Sequence, residues 1–160
     1  MKNISCILLM SLSFLVASAQ QVKKNLDLII VIDEEISVGS LAQVHIKAVS
    51  ATQEYVIKAG YYPGNLSMEL SDYDRLMSED IKTILLLFDH YEYSGGESEM
   101  TNFEIKLEKS WLLHRFNILR IYNLEKKKYA KLFFAPKSGK TYVFEMDTSE
   151  GSSRLIRKKQ

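Results

Sequence analysis

Residues 102–108 read Asn102-Phe103-Glu104-Ile105-Lys106-Leu107-Glu108, an unbroken alternation of apolar and polar side chains. Successive side chains of a strand point to opposite faces, so Phe103, Ile105 and Leu107 line one face and the charged residues the other. This is a half-buried strand, and it sets the reading of its neighbours. Upstream, Ser94-Gly95-Gly96-Glu97 supplies a turn, preceded by the apolar run Ile84-Leu85-Leu86-Leu87-Phe88. A short run of that kind fits a strand covered on both faces or central to its sheet.

Downstream the pattern predicts an up-and-down meander. Strands are expected over Phe116 to Tyr122, Tyr129 to Phe134, and the stretch bearing Tyr142, Phe144 and Met146. Turns are expected at Asn123 to Lys127, at Pro136-Lys137-Ser138-Gly139 and at Ser149 to Ser152, with Arg154 to Arg157 as a final edge strand. Toward the N-terminus, Leu26, Leu28, Ile30 and Ile32 alternate in one strand. Val44, Ile46 and Ala48 share a face of the next, Tyr55 to Ala59 follows, and Ser67 to Leu70 comes after a type II turn at Tyr62-Pro63-Gly64-Asn65. One short helix is expected over Asp72 to Asp80.

Eight to ten strands with one short helix predict an all-β, antiparallel β-sandwich. In architecture this order resembles an immunoglobulin-like or transthyretin-like domain. The cysteine pair of antibody domains is absent.

The first nineteen residues read differently. Lys2, the apolar run Ile4 to Val16 and the small residues Ala17-Ser18-Ala19 have the layout of a cleaved signal peptide, giving 20–160 as a single β-sandwich domain. The apolar run is shorter than the roughly 20 residues that span a bilayer, so no integral membrane segment is expected after cleavage. Gln20 stands where a lipid-bearing cysteine would be required. The expected location is periplasmic or secreted.

Removing 1–19 takes away Cys6, the only cysteine, and Lys2, the only charge of that segment. The mature chain then has no thiol chemistry, and its 20 basic and 20 acidic residues balance, which argues against nucleic-acid binding.

Motifs that carry chemistry are sparse. His45, His90 and His114 have no metal-ligand spacing, and Asp89 to Glu99 lacks a calcium-loop pattern. No G-x-S-x-G or phosphate-binding loop is present, Gly139-Lys140-Thr141 being a turn. No catalytic residue, metal or cofactor is assigned. Trp111 reads as a core plug.

The aromatics are more informative. Tyr61 and Tyr62 precede the Pro63-Gly64 turn, while Tyr91 and Tyr93 share a strand face beside an acidic tip. Exposed tyrosines suit protein or glycan surfaces. The leading expectation is a non-enzymatic, protein-binding accessory module of the bacterial cell envelope. The alternatives are a carbohydrate-binding module using these tyrosines, and a small hydrolase in which Asp89, His90 and a further acid converge.

Overall fold

The structure, a computed structural model, describes residues 22–159. The expected signal segment lies outside the described residues. What is described is mostly β and sandwich-like.

The alternating stretch lies in strand β9 (Glu97–Leu107), which pairs antiparallel with β8 (Thr83–Ser94) in unbroken register from Ile84↔Leu107 to Ser94↔Glu97. Gly95 and Gly96 close this hairpin with φ of 60° and 89°. Both values are positive, as a type I′ turn requires, and glycine adopts them without steric cost. The apolar run of β8 is central to its sheet, flanked by β9 and β4 (Leu41–Val49), with β5 (Glu54–Lys58) beyond β4. A register shift between Ala42 and His45, where Gln43 has φ 54°, marks a bulge in β4.

A five-stranded sheet packs against this one. Its central strand β10 (Asn117–Asn123) runs parallel to β2 (Leu28–Ile32) and antiparallel to β11 (Tyr142–Thr148). The short strands β3 (Glu35–Ile36) and β12 (Gly151–Ser153) form its edges. Ile30, Leu119, Ile121 and Met146 meet Ile46, Leu86, Phe88 and Phe103 in the shared core. A third sheet orders β1 (Lys23–Leu26), β7 (Asn65–Glu69) and β6 (Gly60–Tyr62), with Pro63 and Gly64 forming the expected turn between β6 and β7.

Three expectations are corrected. The described residues contain twelve strands and two α-helices, plus a 3-10 helix at Lys109–Leu113, rather than eight to ten strands and one helix. The strand expected over Leu26 to Ile32 is two, because the chain leaves one sheet for another at Asp27. The alternation continues through the break, and Leu26, Leu28, Ile30 and Ile32 are all buried. The strand expected over Tyr129 to Phe134 is instead helix α2 (Lys127–Leu132). Tyr129 and Phe133, four residues apart, fall on one side of this segment and pack with Tyr122 and Val143 on the outer face of the five-stranded sheet. The predicted helix is α1 (Leu70–Met77), anchored by buried Leu76. The Arg154 to Arg157 segment follows β12 and makes one bridge, Phe133↔Arg157.

The connection from β2 to β3 is a two-residue turn without glycine. Asp33 and Glu34 hold φ of 52° and 76° between the paired residues Ile32 and Glu35. Such angles are uncommon outside glycine, and Asp tolerates them better than Glu. Contacts from β10 hold them in place: Asp33 N–H donates to the Ile121 carbonyl at 2.9 Å, and Asn123 N–H donates to Asp33 Oδ1 at 2.8 Å.

Candidate functional site

The β8–β9 hairpin carries two different faces toward its tip. Ile84, Leu86 and Phe88 point into the core, so the same row continues to His90 and Glu92 as the strand leaves the core. The His90 ring lies 6.3 Å from Phe103. Glu92 reaches Lys126, whose ammonium donates to Glu92 Oε1 and Oε2 at 3.0 and 3.1 Å and pairs with Asp33 Oδ2 at 2.9 Å. Lys126 precedes α2 and thus ties the hairpin to the β2–β3 turn of the opposite sheet. Burial works against its charge, but the bonds to Asp33 and Glu92 outweigh that and raise its pKa.

Burial of the His90 ring pushes its pKa below the ordinary value, opposed by Glu92 and Asp33 and assisted by Lys126. An unfolded histidine titrates near pH ~6.5, so on acidification the unfolded chain takes up this proton first. Stability is therefore expected to fall as pH drops from about 6.5 through the folded pKa of His90. Urea titrations at pH 7 and pH 5 should show a smaller loss in His90→Gln than in wild type.

A cleft of about 430 Å³ opens here, lined by the polar residues Asp33, His90, Glu92 and Lys126 and by Ile36, Val38 and Tyr93. Its rim is mixed: Ile36, Val38 and Tyr93 are 55%, 65% and 77% exposed, beside the exposed acids Glu35 and Glu92. Tyr91 also lines it, and its N–H donates to the Ser40 carbonyl at 2.9 Å. On the outer face of the hairpin Tyr91 stands across from exposed Met100, and Tyr93 across from Ser98. A second groove, about 690 Å³, lies on the inner side of β9 and is lined by Glu92, Glu97, Glu99, Glu125 and Lys126.

The four tyrosines separate. Tyr91 and Tyr93 share the cleft. Tyr61 points the other way from its neighbour Tyr62, packs against the core, and accepts the Ile30 N–H on its phenolic oxygen at 2.8 Å. Burial pushes that phenol's pKa up. Tyr62 is exposed outside the cleft.

Asp89 and His90 are adjacent on one strand and so face opposite ways; Asp89 accepts a hydrogen bond from Asn102 on the outer face. The histidines do not gather: His45 Nδ1 lies 2.6 Å from the Gln43 carbonyl, and His114 Nδ1 lies 3.5 Å from Glu150. Trp111 packs against the core. Among the described residues, no group of three or more His, Cys, Asp or Glu side chains is arranged to hold a metal ion, and no helix is long and apolar enough to cross a membrane.

Ile36, Val38, Met100 and Lys126 were not singled out in the sequence. Ile36 and Val38 carry a weak signal, two apolar residues around Ser37 just after an acidic turn. Lys126 carries none, because it sits in a run of three lysines that reads as a solvated end.

No protein-family model, curated protein or solved structure matches the chain.

Proposed function

We propose that this chain is an exported, non-enzymatic β-sandwich that holds another protein at the end bearing the β8–β9 hairpin, as an accessory of the bacterial cell envelope. Export rests on the layout of Lys2, Ile4 to Val16 and Ala17-Ser18-Ala19. The observation that carries the binding role is the set of exposed apolar side chains Tyr93, Ile36 and Val38 at the cleft, with half-buried Tyr91 beside them, exposed Met100 across the hairpin, and charged Glu92 and Lys126 in the same lining. An aromatic and aliphatic centre bordered by charge is the composition of a protein interface. Isoleucine, valine and methionine offer a sugar no hydrogen bonds, which favours a protein over a glycan here.

The test is cross-linking of the tagged mature chain in an envelope fraction. A specific partner should be captured by wild type and by Tyr62→Ala, and lost from Tyr91→Ala/Tyr93→Ala while that variant keeps its β-sheet circular dichroism. Identical capture by all three would refute the assignment of the surface.

A further inference from the structure

Strand β9 is the outer strand of its sheet, and half of its free edge is closed from across the sandwich. The Tyr142 phenol accepts the Glu104 N–H and donates to the Glu104 carbonyl, both at 2.8 Å. Lys140 Nζ reaches the same carbonyl and the Glu104 carboxylate, also at 2.8 Å. One phenol on both backbone groups of one residue stands where a neighbouring strand would bond.

These contacts also fix which backbone groups are free. The N–H and C=O of Glu104 point away from β8. With the register unbroken, the same holds for every second residue, hence for Ser98, Met100 and Asn102. The turn gives the same result independently. A two-residue hairpin closes on a hydrogen-bonded pair, here Ser94↔Glu97, so Ser98 and its alternates face outward.

The side chains around this open stretch are asymmetric. Glu97 and Glu99 lie on the inner side, where they line the second groove with Glu92 and Glu125. Met100 lies on the outer side, across from Tyr91.

We propose that the free half of β9 accepts an extended peptide segment as an added strand, with basic residues alternating with apolar ones, and that Tyr142 ends the ladder at Glu104. This rests on the protein-binding reading and names the partner's chemistry. Backbone bonds to Ser98, Met100 and Asn102 supply the attachment, and side chains of period two supply the selectivity. Every second side chain of the guest enters the groove, where four glutamates face the single cation Lys126. The intervening side chains lie beside Met100. A second copy of this edge is a poor guest, because it brings further glutamates to the same groove.

The test uses the mature chain and three eight-residue peptides. One alternates lysine and valine, the second is the same peptide N-methylated at every second residue, and the third alternates glutamate and valine. Titration calorimetry should show the lysine peptide binding, with at least tenfold weaker binding of the N-methylated peptide and no binding of the glutamate peptide. Amide exchange at Ser98, Met100 and Asn102 should slow at least tenfold in the complex. Equal binding of the N-methylated peptide without that protection overturns strand addition but leaves a side-chain interface standing. Failure of all three peptides also overturns it, whereas the protein-binding reading is decided separately by the Tyr91/Tyr93 cross-linking. Protection of these amides without peptide, together with a dimer in sedimentation, makes a second copy the occupant and overturns the basic guest.

Discussion

Phe103→Ala is expected to lower the stability of the fold by about 3–5 kcal/mol. Phe103 is buried where the two sheets meet, with its ring 5.4 Å from that of Phe88 and edge-on to that of Tyr142 at 4.9 Å. Truncation removes the apolar surface and leaves a void whose walls belong to two different sheets, so neither can collapse without distorting a ladder. Tyr142 would lose the partner that aims its phenol at Glu104, and His90 the ring beneath it. Urea unfolding of Phe103→Ala and Phe103→Leu checks this. The alanine variant should show a large drop in midpoint at unchanged slope, and the leucine variant should retain most of the stability. A midpoint within error of wild type for the alanine variant would show that the contact between the sheets lies elsewhere.

Glu145→Ala is the second substitution with a large expected effect, on the opposite face of the five-stranded sheet. Glu145 is 1% exposed. It accepts the Tyr122 hydroxyl at 3.2 Å and the Leu155 N–H at 3.0 Å, and Arg154 approaches it at 3.6 Å. Removing the carboxylate leaves the buried Tyr122 hydroxyl without its acceptor, which costs about 1–3 kcal/mol. It also removes the anchor of the C-terminal segment, whose other attachments include Arg154 to Asp147 at 2.9 Å and Lys158 N–H to the Leu132 carbonyl at 2.8 Å. Trypsin should therefore cut after Arg154 and Arg157 several times faster in Glu145→Ala than in wild type, under conditions where the core resists. The Tyr122 phenol gives a spectroscopic check. Burial, then the negative charge of Glu145, pushes its pKa up, so an absorbance titration should move that step downward in the variant. Unchanged tryptic cleavage would mean that the remaining contacts, to Asp147, Leu132 and Phe133, suffice to hold the segment.

Much of the sandwich is legible in residues 102–108 and their surroundings, because one buried face imposes a period of two and Gly95-Gly96 imposes a turn. Central β8 is legible for the complementary reason: its apolar run has no polar face to present. Where the pattern misleads, tertiary structure has overridden it. Leu26, Leu28, Ile30 and Ile32 keep a single period through Asp27, yet the chain changes sheets there, since burial is the same on both sides of the break. Helix α2 is too short for a helical period to stand out from strand-favouring aromatics; Tyr129 and Phe133 reveal it only once the surface they cover is known.

The placement of the tyrosines is legible in part. Tyr91 and Tyr93 are recognisable as one face by their spacing, and they do share a cleft. Tyr61 and Tyr62, adjacent in sequence, point opposite ways, and whether an inward tyrosine finds a partner depends on Ile30, thirty-one residues away. The role of Lys126 depends on two carboxylates brought together from Asp33 and Glu92, a juxtaposition with no local signature.

The glycine-free turn at Asp33-Glu34 has a consequence for which contacts each corner of the molecule depends on. The Gly95-Gly96 hairpin closes a short loop with residues that accept its geometry, so it can form from local contacts alone. The Asp33-Glu34 corner places Glu34 against its backbone preference, and the groups that hold the corner come from ninety residues further along the chain. Its angles are held by contacts that exist only once β10 has docked. The β8–β9 hairpin thus needs no distant contact to close its turn, whereas the cleft beside Tyr91 and Tyr93 is complete only where Asp33 and Lys126 are brought together.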